Sequence, residues 1–190
     1  MLGAHAGVHS PTRVYATFNN ADKGGGVTLS NGNRTVAIAT TPTDGGSVRS
    51  TIGKSTGKWY WEFTVQSSQS TVAVMNLTDS VAAQTYPGLG SGGWMYYGLN
   101  GNKYNNGGTA GYGATFTTGD VIGVKLDMTA GTIEFLKNNV SQGVAYSGLT
   151  GTLYAATGNY SLNVTLGTAN FGASAFTYTV PSGYNSGLYN

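Results

Sequence analysis

The chain has 190 residues, of which 39% are hydrophobic and 12% aromatic, enough for one buried core without a cross-link. Only 8% are charged, against roughly 25% in an ordinary soluble protein, and the net charge of +2 is too small and dispersed for a nucleic-acid footprint or a basic membrane-binding run. Cysteine is absent, which excludes disulfides, thiolate metal sites and a cysteine nucleophile.

Residues 1–13 are small, Gly-containing and aperiodic up to Pro11, and are expected to form a flexible N-terminal arm: a disordered end or a docking strand for a neighbouring subunit. They lack the basic region and long apolar run of a secretory signal peptide. Residues 14–190 are expected to form one all-β domain. Gly and β-branched runs interrupt every helical window, and strand-like runs rich in Val, Ile, Thr, Tyr and Trp recur between Gly/Asn/Asp/Ser clusters. No apolar stretch is long enough to insert in a membrane.

Asn31-Gly32 predicts a hairpin turn between Val27–Leu29 and Arg34–Ile38. Lys58–Gln66 is the clearest strand: Trp59, Trp61, Phe63 and Val65 share the apolar face, and Tyr60, Glu62, Thr64 and Gln66 the other. Asn100-Gly101 marks a second hairpin, between Trp94–Leu99 and Asn102–Tyr104. Gly119–Asp127 places Ile122, Val124 and Leu126 on one face, and the tight turn Met128-Thr129-Ala130 leads into Gly131–Lys137 with Ile133 and Phe135 inward. Asn138-Asn139 tolerates the left-handed conformation of a two-residue loop, so Val140–Tyr146 returns as a third strand. Further strands are expected at Leu153–Thr157, Ser161–Leu166 and Thr168–Phe171. The Trp59/Trp61 row is expected to close the core against the Ile122/Val124/Leu126 row.

Four segments together, Gly57–Val65 (GKWYWEFTV), Tyr96–Tyr104 (YYGLNGNKY), Gly119–Asn139 (GDVIGVKLDMTAGTIEFLKNN) and Val164–Gly172 (VTLGTANFG), resemble the SPRY domain family. The third is the most specific, and it departs from the family only where Asn138-Asn139 replaces the usual Asn-Gly. The resemblance spans residues 14–184 and implies a concanavalin-like sandwich of two antiparallel sheets that binds through loops without catalysis. The low charge and Gly/Asn/Thr-rich texture resemble versions found in bacteriophage virion proteins.

The residues present agree with a chain that is not an enzyme. Both histidines, His5 and His9, lie in the arm, so no His-based triad fits in the body. Their i, i+4 spacing suggests a metal pair only on a helix, which Gly3, Gly7 and Pro11 disfavour. Glu62 and Glu134 are candidate cross-strand neighbours, for which a solvated face or an ion pair with Lys125 or Lys137 is the plain reading; Asp120 and Asp127 read as turn residues bonded to backbone N–H. No calcium loop or phosphate-binding motif is found, and neither metal nor cofactor is expected.

A region dense in aromatics and glycines remains. The ligand-binding candidates are Tyr86, Trp94, Tyr96, Tyr104 and Tyr112, with Tyr97 among them in sequence. Alternation sends one of each neighbouring pair inward; Tyr86 and Tyr104 flank turns and are expected exposed. The leading expectation is a structural bacteriophage protein (decoration, fibre or joint subunit) located in the virion and contacting other virion proteins or copies of itself. The alternatives are a receptor-binding adhesin for a host surface glycan or protein, and an intracellular peptide-binding adaptor.

Overall fold

The computed structural model describes residues 12–39, 45–159 and 163–190. The arm expected at 1–13 lies outside these residues except for Thr12 and Arg13. In chain order the strands are β1 (Phe18–Lys23), β2 (Val27–Ser30), β3 (Thr35–Ile38), β4 (Ser47–Lys54), β5 (Lys58–Val65), β6 (Thr71–Met75), β7 (Gly93–Tyr97) and β8 (Asn102–Asn105). They continue with β9 (Gly108–Gly111), β10 (Val121–Asp127), β11 (Thr132–Lys137), β12 (Val140–Tyr146), β13 (Leu153–Gly158), β14 (Val164–Asn170) and β15 (Asn185–Ser186). Among the described residues there is no helix.

Two sheets form, as the sandwich expectation requires. One runs β1-β4-β13-β6-β7-β8-β9, the other β12-β11-β10-β5-β14-β3-β2, with β15 added to β5. All these pairings are antiparallel except β15 on β5. The turns follow their chemistry: Asn138 and Asn139 have φ of 48° and 67°, and Asn31 and Gly32 have 53° and 62°, the left-handed values a tight hairpin demands. Asp120 and Asp127 take the turn roles expected of them. Asp120 accepts from the Thr117 N–H at 2.9 Å, and Asp127 from the N–H groups of Thr129 and Ala130, both at 3.0 Å.

The core lies between the inner faces. Phe63, Trp61, Ile122, Val124, Leu126, Ile133 and Phe135 come from the eight-stranded sheet, and Val48, Val72, Val74, Tyr96, Leu153 and Ala155 from the seven-stranded one. Each large apolar side chain taken fully out of water contributes about 2 kcal/mol, so this interface dominates stability. The Trp row and the Ile122 row share that interior, but not as opposing walls. Val124 pairs with Trp61 and Leu126 with Trp59 across adjacent strands of one sheet. The opposing wall comes from β4, β6, β7 and β13. Trp59 is also only half-buried, with its indole N–H donating to the Thr56 carbonyl at 2.7 Å and Lys54 3.8 Å over its ring.

Two other expectations are corrected. The strands expected at Ser161–Leu166 and Thr168–Phe171 are one strand, β14, kept continuous by a register shift between Thr165 and Gly167; Ser161 and Leu162 lie outside the described residues. The second face of β5 is solvated only at Thr64 and Gln66. Tyr60 and Glu62 are each 1% exposed, because the C-terminal segment crosses over them. Phe176 packs on Tyr60 at 5.2 Å, and Glu62 accepts from the N–H groups of Thr177 (2.8 Å) and Tyr178 (2.9 Å) and from the Tyr60 hydroxyl (2.9 Å). Gly123 makes room for this, since a Cβ there would meet the Tyr60 hydroxyl at 2.9 Å. Leu188 and Asn190 then bond to Ala16 and Val14, bringing the two ends of the described domain side by side.

Candidate functional site

The outer face of the seven-stranded sheet carries a second apolar cluster. Strand alternation sends Val72 and Val74 of β6 and Tyr96 of β7 into the main core, and Ala73, Met75, Met95 and Tyr97 outward. Val81, Ala156, Tyr86 and Tyr104 complete the cluster. Its cover is the segment 76–92 between β6 and β7. Arg49, 4% exposed, holds that segment from beneath: its guanidinium donates to the carbonyls of Asn76 and Asp79 and pairs bidentately with Asp22 at 2.7 and 2.9 Å. The Asp79 carboxylate accepts from the Gly92 N–H at 2.7 Å, and Gln84 from the Gly90 N–H at 2.9 Å. Gly88, at φ 96°, lets the segment touch β8, because a Cβ there would lie 2.6 Å from the Tyr104 carbonyl oxygen.

Among the described residues this segment borders a cavity of about 180 Å³ lined by Thr71, Tyr86, Met95, Tyr97, Tyr104 and Asn159. Sites for whole small molecules run about 300–1,000 Å³, so this one suits a side chain or two of a polypeptide. Tyr104 is its hinge: the Tyr86 ring meets it edge-on at 6.2 Å and the Tyr97 ring at 6.0 Å. Asn100 donates to the Tyr104 hydroxyl at 2.8 Å. The Tyr97 hydroxyl bonds to the Gln69 side chain, the Asn159 amide to the Gln69 carbonyl, and Thr71 Oγ1 to the Gly158 carbonyl at 2.6 Å. No lining residue is charged. The arrangement offers aromatic surface and hydroxyl groups for binding, and no acid–base pair.

The five candidates separate into four settings. Tyr86 and Tyr104 meet in the cavity. Trp94 is half-buried against the main core. Tyr112 spans the gap between the sheets: its ring packs on Tyr96 at 5.0 Å and Phe135 at 6.0 Å, and its hydroxyl donates to the Gly143 carbonyl at 2.6 Å. Burial pushes the Tyr112 hydroxyl pKa up to about 12 against the opposing pull of the Phe135 N–H. Tyr96 must be withdrawn from the surface. It is 0% exposed, its ring lies 4.8 Å from Phe116, its hydroxyl bonds to the Ala114 carbonyl, and desolvation raises its pKa. Thr71, Met95, Tyr97 and Asn159 were not among the five. Alternation with Tyr96 carried a signal for Met95 and Tyr97; Thr71, paired with Tyr97 on β6, and Asn159, just after β13, carry none.

The described carboxylates do not assemble elsewhere. Glu62 pairs with Gly123 and Glu134 with Lys125, so the two are not cross-strand neighbours. Glu134 is held by Lys125 at 2.6 Å and Ser141 at 2.5 Å. Desolvation works to raise the pKa of Glu134, but these two partners outweigh it and hold the carboxyl below its ordinary range. Among the described residues no group of three His, Asp or Glu could hold a metal ion; His5 and His9 lie outside them.

The SPRY domain family model matches residues 58–172. Ran-binding protein 9 of Xenopus tropicalis is 32% identical over 186 residues, covering 94% of this chain and 33% of that protein. Human Ran-binding protein 9 is 32% identical over 145 residues, 74% of this chain and 20% of that protein. The chain thus spans a third or less of the length of these curated relatives. The SPRY domain of human HERC1 superposes with a TM-score of 0.65 at 24% identity, over 80% of this chain and 94% of that one. These relatives correct the leading expectation of function. They are animal proteins named for binding Ran, which overturns the bacteriophage particle as setting, the virion as location, and virion proteins or a host-surface receptor as partners.

Proposed function

This chain belongs to the SPRY domain family, and from that premise we propose that it is an intracellular protein-binding adaptor module that holds a short segment of a partner protein and carries out no chemistry on it. The observation that carries this reading is the tyrosine-lined cavity. It is sized for one or two side chains, free of lining charge, and braced on one side by the segment that Arg49 fixes. Rigid aromatic walls bring contact area at little entropic cost. The binding residues are Tyr86, Tyr97 and Tyr104, with Met95 as the floor and Thr71 and Asn159 at the polar end. The six described carboxylates are each bonded within the fold or to its turns, which supports binding without catalysis.

The relatives' name makes Ran the first partner to try. Titration calorimetry of the full chain against Ran, and against a library of short peptides, is the test. Binding that weakens at least about tenfold with Tyr104→Ala, while circular dichroism stays unchanged, is expected. Binding indifferent to Tyr86→Ala and Tyr104→Ala would remove the cavity from the account.

A further inference from the structure

The two sheets end in four edge strands: β1 and β9 in one, β12 and β2 in the other. An edge presents unpaired backbone groups, and native proteins blunt it with charge, bulges or side-chain caps. Three of these edges are blunted. β1 carries Asp22 and Lys23, and its register breaks between Phe18 and Lys23. β12 has two register breaks, and the Tyr112 hydroxyl and Lys103 ammonium cap the carbonyls of Gly143 and Ala145, each at 2.6 Å. On β2, Lys23 caps the Val27 carbonyl at 2.7 Å.

β9 has no such protection. Its sequence, Gly108-Thr109-Ala110-Gly111, holds no charge and no proline, every residue is exposed, and its register with β8 is unbroken. Asn106 and Gly107, at φ 52° and 69°, form a two-residue turn, so the Asn105–Gly108 and Lys103–Ala110 pairs exchange main-chain bonds within the hairpin. Thr109 and Gly111 therefore point their N–H and C=O groups away from β8. Among the described residues no bond reaches those four groups. Beside them is a groove of about 240 Å³ at the mouth between the sheets, lined by Lys103, Asn105, Gly108, Thr109, Ala110 and Tyr146. The small side of β9 keeps it open. Lys103 brings the one charge: its ammonium bonds the Ala145 carbonyl and lies 5.1 Å over the Tyr146 ring, yet it has no carboxylate partner among the described ion pairs.

We propose that β9 is a second docking element, where an extended segment of a partner polypeptide adds one strand and aims a carboxylate at Lys103. Main-chain bonds to Thr109 and Gly111 supply register, and alternate side chains of the added strand enter the groove. Four residues of edge fall far short of the roughly 800 Å² per partner that a stable pair of folded subunits buries. The occupant is thus a flexible segment rather than a second copy. This surface is separate from the tyrosine cavity and stands or falls without it.

The test is deuterium exchange of the Thr109 and Gly111 amides in the full chain, read by NMR. The probes are three synthetic alternating Thr/Val decapeptides: one with Glu at every groove-facing position, one with Lys there, and the Glu peptide N-methylated at alternate residues. The Glu peptide is expected to slow both amides by about tenfold or more, the Lys peptide less, and the N-methylated peptide not at all. Thr109→Pro, which removes one of the two outward N–H groups, abolishes the protection that remains readable at Gly111, Lys103→Gln removes the preference for Glu over Lys, and Tyr86→Ala changes neither. Unchanged exchange at saturating Glu peptide overturns the proposal, as does equal protection by the Glu and Lys peptides. Protection that rises with protein concentration alone also overturns it, because a second copy would then be the occupant. Should Thr109→Pro fail to fold, the N-methylated probe still decides.

Discussion

Each sheet has an outer face that is partly hidden by a crossing segment, and the two covers differ in kind. Over the eight-stranded sheet the C-terminal segment closes over Tyr60 and Glu62: Phe176 lies on Tyr60, and the buried Glu62 carboxylate has its backbone donors supplied by Thr177 and Tyr178. Over the seven-stranded sheet, segment 76–92 is held just as firmly by Arg49, but it borders a cavity with three tyrosines around it. The polar groups of the first face are used up in holding the fold. The second face holds a tyrosine-lined cavity among the described residues. A buried charge at the centre of a cover marks a structural seam, whereas the uncharged aromatic cavity beside a fixed loop is where the proposed adaptor role puts the partner.

The largest loss of stability expected from this contrast is on the sealed face. Glu62→Leu leaves the part-buried N–H groups of Thr177 and Tyr178 and the buried Tyr60 hydroxyl without their acceptor and should lower stability by about 2 kcal/mol in urea unfolding, with no change in affinity at the cavity for the molecules that stay folded. Tyr104→Ala should do the reverse: a loss of about 2 kcal/mol in partner binding, with a smaller loss of stability because the side chain is only half-buried. If both variants lost stability and binding together, the two faces would be one cooperative unit and the contrast would fail.

Acid should sharpen the contrast further. Burial works to raise the pKa of Asp120 and of Asp127, but turn N–H groups with Asn138 and Lys137 in one case, and with Lys58 in the other, hold both carboxyls below their ordinary values. The unfolded chain then binds protons before the folded chain does. The stability these groups contribute is present above the unfolded carboxyl value near about 4 and is lost as pH falls through the lower folded values. Thermal unfolding between neutral pH and pH about 2 should show that loss, and Asp127→Asn should flatten part of it. The smallest effect belongs to the half-buried Lys125–Glu134 pair. Lys125→Met should cost below about 1 kcal/mol in the same unfolding assay.

Much of the fold was legible locally. The β10–β11–β12 meander could be read from alternation and from the asparagines of its turn, because each depends on neighbours in sequence. The partners of β5 could not. Trp59 and Trp61 show an apolar face, but only pairings more than sixty residues apart decide that the Ile122 row sits beside them and that β6, β7 and β13 lie opposite. The cover over Glu62 left no trace, since its donors are backbone N–H groups with no side-chain signature. At Tyr96 and Tyr97, alternation tells that the two face opposite ways. It cannot tell which way is the core when both faces of the sheet are apolar. Family membership was legible because the Gly119–Asn139 hairpin is a pattern of positions. The phage setting was misread because low charge and abundant Gly, Asn and Thr are a composition, which fixes neither source nor partner.

The account turns on the tyrosine cavity, and the ring resonances of its own tyrosines report on it most directly. With Ran, or with the best peptide from the library, titrated into the full chain, the ring signals of Tyr86, Tyr97 and Tyr104 should shift in proportion to occupancy while those of Tyr178 and Tyr184 on the sealed face stay fixed. Saturable binding that moves Tyr178 and Tyr184 and leaves the three cavity rings unmoved would contradict it.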